Sequence, residues 1–145
     1  MIKHKWTAAW LALVVGGFGA HRFYLHGWRD VWAWLQMPFT LAGIAGVVRA
    51  QNLGVDDKIS WILIPLGGFS LAAAMLAGIV YGLMNDEKFN ARFNPSRAAG
   101  DAGWGAVLGV AACLFIGGGV LMASIAYSAQ HFFEWQVEEA AKISQ

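Results

Sequence analysis

Four apolar stretches separated by polar segments dominate the pattern of this chain. They cover residues 6–20, 31–48, 59–84 and 104–129, and none of them contains Asp, Glu, Lys, Arg or His. A helix needs roughly 20 apolar residues to cross a bilayer, so the pattern predicts four spans, of which the first is short. The predicted fold is an all-α integral membrane protein, a four-transmembrane-helix bundle with a short helical C-terminal tail.

The longest polar connection, residues 85–101, contains a second pattern. Phe89 and Phe93 are four positions apart and would share one face of a helix, with Lys88 and Arg92 beside them. This spacing predicts a short interfacial helix that ends before Pro95. An ordinary solvated loop is the alternative.

Small residues recur at every fourth position in three of the predicted spans, and residues four apart lie on one helix face. Such faces allow helix backbones to approach closely in a membrane. The pattern predicts helix-packing positions but does not say whether they pack within one chain or between chains. The runs are Ala8, Ala12, Gly16 and Ala20; Ser70, Ala74, Gly78 and Gly82; and Gly105, Gly109, Cys113 and Gly117.

A glycine-rich, aromatic and basic hinge, GGFGAHRFYLHGW over residues 16–28, follows the first apolar stretch. Its first ten residues resemble the signature hinge of the TM2-domain family, small membrane proteins built on a pair of transmembrane helices. Two departures are His26, where the family usually has Gly, and a second helix that lacks the family's usual Trp and Asp pattern. The hinge motif comprises Gly16, Gly17, Gly19, His21, Arg22, Phe23 and Tyr24.

The resemblance implies a division of the chain into two parts. Residues 1–65 would form the TM2-like hairpin region with a divergent second helix, and residues 66–145 would add transmembrane helices and an acidic C-terminal helix to one membrane unit. Within the hinge, the glycines permit tight approach, Arg22 can satisfy helix-end carbonyls or lipid phosphate, and Phe23 and Tyr24 anchor at the interface.

Composition and charge narrow the function. Charged residues make up 13% of the chain, against about 25% in soluble domains, and the net charge of +1 gives no electrostatic case for nucleic acid. No cofactor and no catalytic constellation is predicted, so an enzyme is not expected. Two metal sites are minor alternatives: one formed by His21 and His26 in the hinge, and one formed by His131, Glu134 and Glu138 on the tail.

Orientation is left open by the sequence. Four spans would place both ends of the chain on one side of the inner membrane, and positive charges then divide five against five between the two sides. The basic residues before the first span favour a cytoplasmic N-terminus, whereas the family resemblance favours a cytoplasmic hinge. The balance leans slightly to cytoplasmic termini.

The leading functional hypothesis is a non-catalytic multi-pass membrane protein that acts through helix–helix association, as an accessory subunit, assembly factor or regulator. Its expected partners are the lipid bilayer and either further copies of the chain or another membrane protein. The alternative is a homo-oligomeric channel or small-solute pathway, in which polar residues of the spans would line a pore. Those residues are Gln36, Thr40, Ser70, Ser124 and Ser128.

Overall fold

Six α-helices and one short 3₁₀ turn build the chain over residues 2–96, 100 and 103–143, the part that the computed structural model describes. Three helices are long and apolar enough to cross a membrane, and no strand occurs among the described residues. The prediction of an all-helical membrane protein is therefore confirmed. The elements are α1 (Lys5–Val15), the 3₁₀ turn (Gly16–Phe18), α2 (Ala20–His26), α3 (Val31–Leu53), α4 (Lys58–Leu83), α5 (Asp86–Phe93) and α6 (Gly103–Ile143).

The first apolar stretch does not form a helix of spanning length. Helix α1 has 11 residues, which is about 16 Å at 1.5 Å per residue, roughly half of the hydrocarbon core of a bilayer. The chain then reverses at the glycines, and α2 runs back beside α1. Lys3 Nζ donates to the carbonyl of Leu25 at 2.5 Å, at the open end of this hairpin. The described chain thus has three spanning-length helices and a short hairpin, where four spans were predicted.

The two ends of the bundle hold different elements. One end, here called the α5 end, contains the start of α1, the end of α2, the start of α3, the end of α4 and helix α5. Lys5 forms an ion pair with Asp86 of α5 at 2.8 Å there. The opposite end, here called the tail end, contains the α3–α4 connection and the last turns of α6, where Lys58 contacts Glu138 at 2.9 Å.

Helix α4 lies at the centre and packs against α1, α3 and α6. Its contact with α3 is formed by two facing glycines, Gly43 and Gly67. A methyl group in place of either α-hydrogen would overlap the Cα of the other residue. The close approach of these two helices therefore depends on the absence of side chains at this point.

The predicted short helix in the long connection is present as α5, and the side chain of Asn85 caps it by accepting from the N–H of Glu87 at 3.0 Å. Phe89 is 2% exposed and joins a core cluster with Leu25 and Tyr81. Phe93 packs on it at a ring separation of 4.9 Å. The aromatic face of α5 therefore packs on the protein core and covers the α5 end of the bundle.

Candidate functional site

The hinge forms the inner turn of the α1–α2 hairpin. Gly19 adopts φ of +74°, a left-handed conformation that favours glycine. A methyl group there would lie 2.6 Å from the carbonyl oxygen of Ala33. Beside it, the hydroxyl of Thr40 donates to the carbonyl of Gly17 at 2.6 Å. Conformation and space therefore both require a glycine where the turn contacts α3.

Arg22 binds a carboxylate of this chain. Its Nε and Nη2 donate to Asp30 at 2.8 and 3.3 Å, and Asp30 also caps α3 by accepting from the N–H of Trp32 at 3.0 Å. Burial by itself raises the pKa of Asp30, but the hydrogen bond and charge of Arg22 outweigh it and hold that pKa below its ordinary value. Sequence reasoning missed Asp30, although an Asp directly before an apolar helix is a capping signal.

The two aromatic residues of the hinge make separate contacts. Phe23 packs against Trp28 and Trp34, with ring centroids 5.1 and 5.2 Å away. The hydroxyl of Tyr24 accepts a hydrogen bond from the backbone N–H of His4 at 2.9 Å. Phe23 thus belongs to an aromatic group near the start of α3, and Tyr24 holds the start of α1 to the end of α2.

His21 is the unusual residue of the hinge. It is 1% exposed, and neither of its ring nitrogens has a hydrogen-bond partner. It is the one side chain with such buried, unpartnered polar atoms in the described part of the chain. Burial, and then the nearby charge of Arg22, lowers the pKa of His21 to about 4, so the imidazole is neutral at pH 7.

A cavity of about 390 Å³ lies beside the hairpin, between α2, α3 and α4. Its polar wall is formed by His21, Arg22, Gln36 and Ser70, and the rest is aliphatic and aromatic. Gln36 Nε2 donates to the carbonyl oxygen of Ser70 at 3.1 Å in the wall of this cavity. The hinge therefore adjoins an apolar cavity with a few polar groups, the composition typical of small-molecule sites.

The predicted packing positions lie at helix contacts within the chain. Gly78 faces Ala12, where a methyl group would lie 2.7 Å from the alanine Cβ, and Gly16 faces Ala74 at 2.9 Å by the same measure. The remaining positions also lie at contacts between α1, α4 and α6: Gly82 of α4 against Val110 of α6, and on α6 Gly105 near Trp6, Gly109 against Ala9, and Gly117 against Met75. These small-residue faces are therefore occupied inside one chain.

The polar residues of the spans form hydrogen bonds inside the chain. The Thr40 hydroxyl lies 3.3 Å from that of Ser70. On α6, Ser124 and Ser128 donate back to the carbonyls of Val120 and Ser124, at 2.8 and 2.7 Å. Each of these side chains therefore has a partner within the chain.

The members of the two candidate metal sets differ in burial and in their partners. His21 is buried, whereas His26 is exposed and its Nδ1 lies 3.6 Å from Asp30. On the tail, His131 Nδ1 is 2.6 Å from Glu134 and stacks on Trp61, while Glu138 pairs with Lys58. Among the described residues, no group of three or more His, Cys, Asp and Glu side chains could hold a metal ion.

Comparison with known proteins supports the resemblance carried by the hinge. The profile of the TM2 domain matches residues 1–50, which include the α1–α2 hairpin and most of α3. No curated protein and no solved structure matches the chain. Helices α4, α5 and α6 lie outside the matched segment. The predicted resemblance to the TM2-domain family is thus confirmed over residues 1–50 of this helical membrane protein.

Proposed function

We propose that this chain is a non-catalytic, multi-pass protein of the inner membrane that acts by binding another membrane helix along the outer face of α6. The observation that carries the proposal is a pair of adjacent glycines on that face, Gly118 and Gly119. A methyl group at either position would meet no atom within 4 Å. At the glycines used for internal packing, such as Gly78, neighbouring side chains already occupy the space that a methyl group would need.

Large apolar side chains flank this glycine pair and leave it accessible. Phe115 is 80% exposed and Met122 is 65% exposed. In lipid there is no hydrophobic drive between helices, so close backbone approach at small residues is what favours association. A second helix could approach α6 at Gly118 and Gly119 with Phe115 and Met122 packed on either side.

The acidic last turns of α6 extend this surface at the tail end. Phe133 is 62% exposed and Val137 is 70% exposed, next to the exposed Glu138 and the half-buried Glu139. A partner with an amphipathic segment next to its membrane helix would fit both parts of α6, its apolar face packed on Phe133 and Val137. This surface supports an accessory or assembly role better than a catalytic one.

The hairpin also supports one orientation. The start of α1 and the end of α2 both lie at the α5 end. Lys3 and Lys5 are therefore on the same side of the bundle as four further basic residues, Arg22, Arg29, Lys88 and Arg92. Three basic residues, Arg49, Lys58 and Lys142, lie at the tail end. Among the described residues, six basic side chains thus lie at the α5 end and three at the tail end. By the positive-inside rule, this excess favours a cytoplasmic α5 end. The start of α1 and the polar end of the hinge would then both be cytoplasmic. In this orientation, the basic N-terminal residues and the family resemblance no longer favour opposite orientations.

The test is the particle mass of the protein extracted in native lipid discs. The expected result is a mass above 15.7 kDa for the protein component, either as a second copy of the chain or as a second polypeptide identified by mass spectrometry. Gly119→Ile should reduce the assembly at least about tenfold, which corresponds to 1.4 kcal/mol. Ala45→Ile, an equally bulky change on the exposed face of α3, is the matched control.

Two results would count against the proposal. A single-chain particle would show that the small-residue faces only fold one bundle. An assembly that tolerates Gly119→Ile but is lost with Ala45→Ile would place the contact on α3.

A further inference from the structure

The cavity between α2, α3 and α4 opens toward the surface that lipid would cover. Leu35 is 43% exposed, Phe39 is 38% exposed and Phe69 is 41% exposed, and all three line the cavity. These residues lie on α3 and α4, two of the spanning-length helices. A molecule that reaches the cavity from the side must therefore be lipid-soluble.

The polar wall of the cavity carries almost no net charge. The guanidinium of Arg22 is held by the carboxylate of Asp30 at 2.8 Å, so the pair is close to neutral. Gln36 and Ser70 are uncharged and lie next to each other. A charged head group would have to leave water without gaining a free counter-charge here, which is unfavourable. An uncharged polar head group is the chemistry that fits.

His21 supplies the unmet hydrogen-bonding capacity. A neutral imidazole has one N–H donor and one nitrogen acceptor, and neither is used. A buried polar group without a partner costs about 1–3 kcal/mol. Both nitrogens are covered by protein atoms, so binding requires the ring to turn toward the cavity that it lines. A hydroxyl can donate to the acceptor or accept from the donor.

We propose that this cavity binds an uncharged lipid alcohol of the diacylglycerol type. Its hydroxyl bonds to His21 next to Gln36 and Ser70, and an acyl chain lies along Phe39 and Phe69. The inference is independent of the proposed contact on α6, which lies on another helix. It gives the hinge histidine a role in recognising a lipid.

The test uses a diacylglycerol with a photoreactive diazirine in its acyl chain, added to the full-length protein in phosphatidylcholine discs. After illumination, the labelled peptides should come from α3 and α4 around Phe39 and Phe69. Unlabelled diacylglycerol should compete, whereas phosphatidylglycerol, which has a charged head group, should not. His21→Phe should weaken labelling about threefold to tenfold, the equivalent of one hydrogen bond.

Two further variants keep the result interpretable if His21→Phe does not fold. Ala73→Phe places a bulky ring in the cavity wall without touching the hinge, and it should also reduce labelling. His26→Phe alters the exposed hinge histidine outside the cavity lining and should leave labelling unchanged. Labelling that survives Ala73→Phe, that spreads evenly to the outer face of α6, or that phosphatidylglycerol displaces equally well would overturn the proposal.

Discussion

The backbone N–H of His4 donates to the phenolic oxygen of Tyr24 at 2.9 Å, so the start of α1 lies directly beside the end of α2. Lys3 strengthens this junction, because its backbone N–H and carbonyl both bond to the side chain of Asn94, at 2.8 Å each. These contacts place the N-terminal segment at the α5 end. They also mean that the first apolar stretch enters and leaves on the same side of the bundle.

The hairpin predicts that Ile2 and the tail lie on opposite sides of the membrane. In a Cys113→Ala background, Ile2→Cys and Glu87→Cys should react with a membrane-impermeant maleimide from the same side of sealed vesicles. Gln136→Cys should react only from the other side. The reason is that three spanning helices, an odd number, separate Ile2 from Gln136. Labelling before and after permeabilisation measures this directly.

Four crossing helices would give a different pattern. Ile2→Cys would then be labelled together with Gln136→Cys, and Glu87→Cys would be labelled from the opposite side. That outcome would show that α1 crosses the membrane and would also remove the six-to-three charge argument for orientation.

Much of the fold could be predicted from the sequence because the three long apolar stretches have one physical solution in lipid, a helix with its backbone bonds internal. The hairpin could not be predicted in the same way. Hydropathy treats residues 6–20 as a short span, since a re-entrant helix and a crossing helix are equally apolar. The observable clues were its length and the cluster of Gly16, Gly17 and Gly19 at its end.

Only some residues of the candidate site could be identified from the sequence. The hinge glycines and Arg22 were identifiable from their types, but the partner of Arg22 depends on a chain reversal that brings Asp30 back to it. His21 and His26 looked alike as hinge histidines. Tertiary packing alone separates them, since it buries His21 to 1% exposure and leaves His26 at the surface.

The glycine contact between α3 and α4 predicts strong sensitivity to added volume. Gly67→Val should lower the free energy of unfolding by at least about 1–3 kcal/mol, because the new side chain meets the backbone of Gly43 and overpacking costs of this order. Thermal unfolding in mild detergent, followed by circular dichroism, measures the change.

Gly118→Val is the matched control for this substitution when both variants are measured as single chains, since Gly118 belongs to the proposed contact on α6. It makes the same change within α6, where a new Cβ meets nothing within 4 Å, so the effect should be small. Equal losses at Gly67 and Gly118 would mean that helix propensity, and not packing, sets the cost.

The pair formed by Arg22 and Asp30 predicts a coupled effect on stability. Arg22→Gln should lower the apparent Tm, because it leaves the largely buried carboxylate of Asp30 without its counter-charge. Arg22→Gln combined with Asp30→Asn should lose less than the sum of the two single variants. Arg29→Gln, at an exposed basic residue of the same connection, is the control and should leave Tm nearly unchanged. Simple additivity of the two single effects would contradict the coupling.

Asp57 at the tail end predicts a pH-dependent contribution to stability. The hydrogen bond from Arg49, and then one from Ser60, lower the pKa of Asp57 to about 2. A carboxylate whose pKa is lower in the folded state stabilises the fold above its unfolded pKa of about 3.9. That contribution is lost as the pH falls through the folded value.

Asp57→Asn isolates the charge, because asparagine also caps helices well and can still accept from the N–H of Ser60. The variant should have a lower Tm than the unmodified protein at pH 7, and the difference should shrink between about pH 4 and pH 2, where the carboxylate becomes protonated. Asp56→Asn, at the exposed neighbour, should show a much smaller difference throughout. A Tm difference for Asp57→Asn that stays constant from pH 7 to pH 2 would mean that capping geometry, and not the ion pair with Arg49, carries the contribution of this residue.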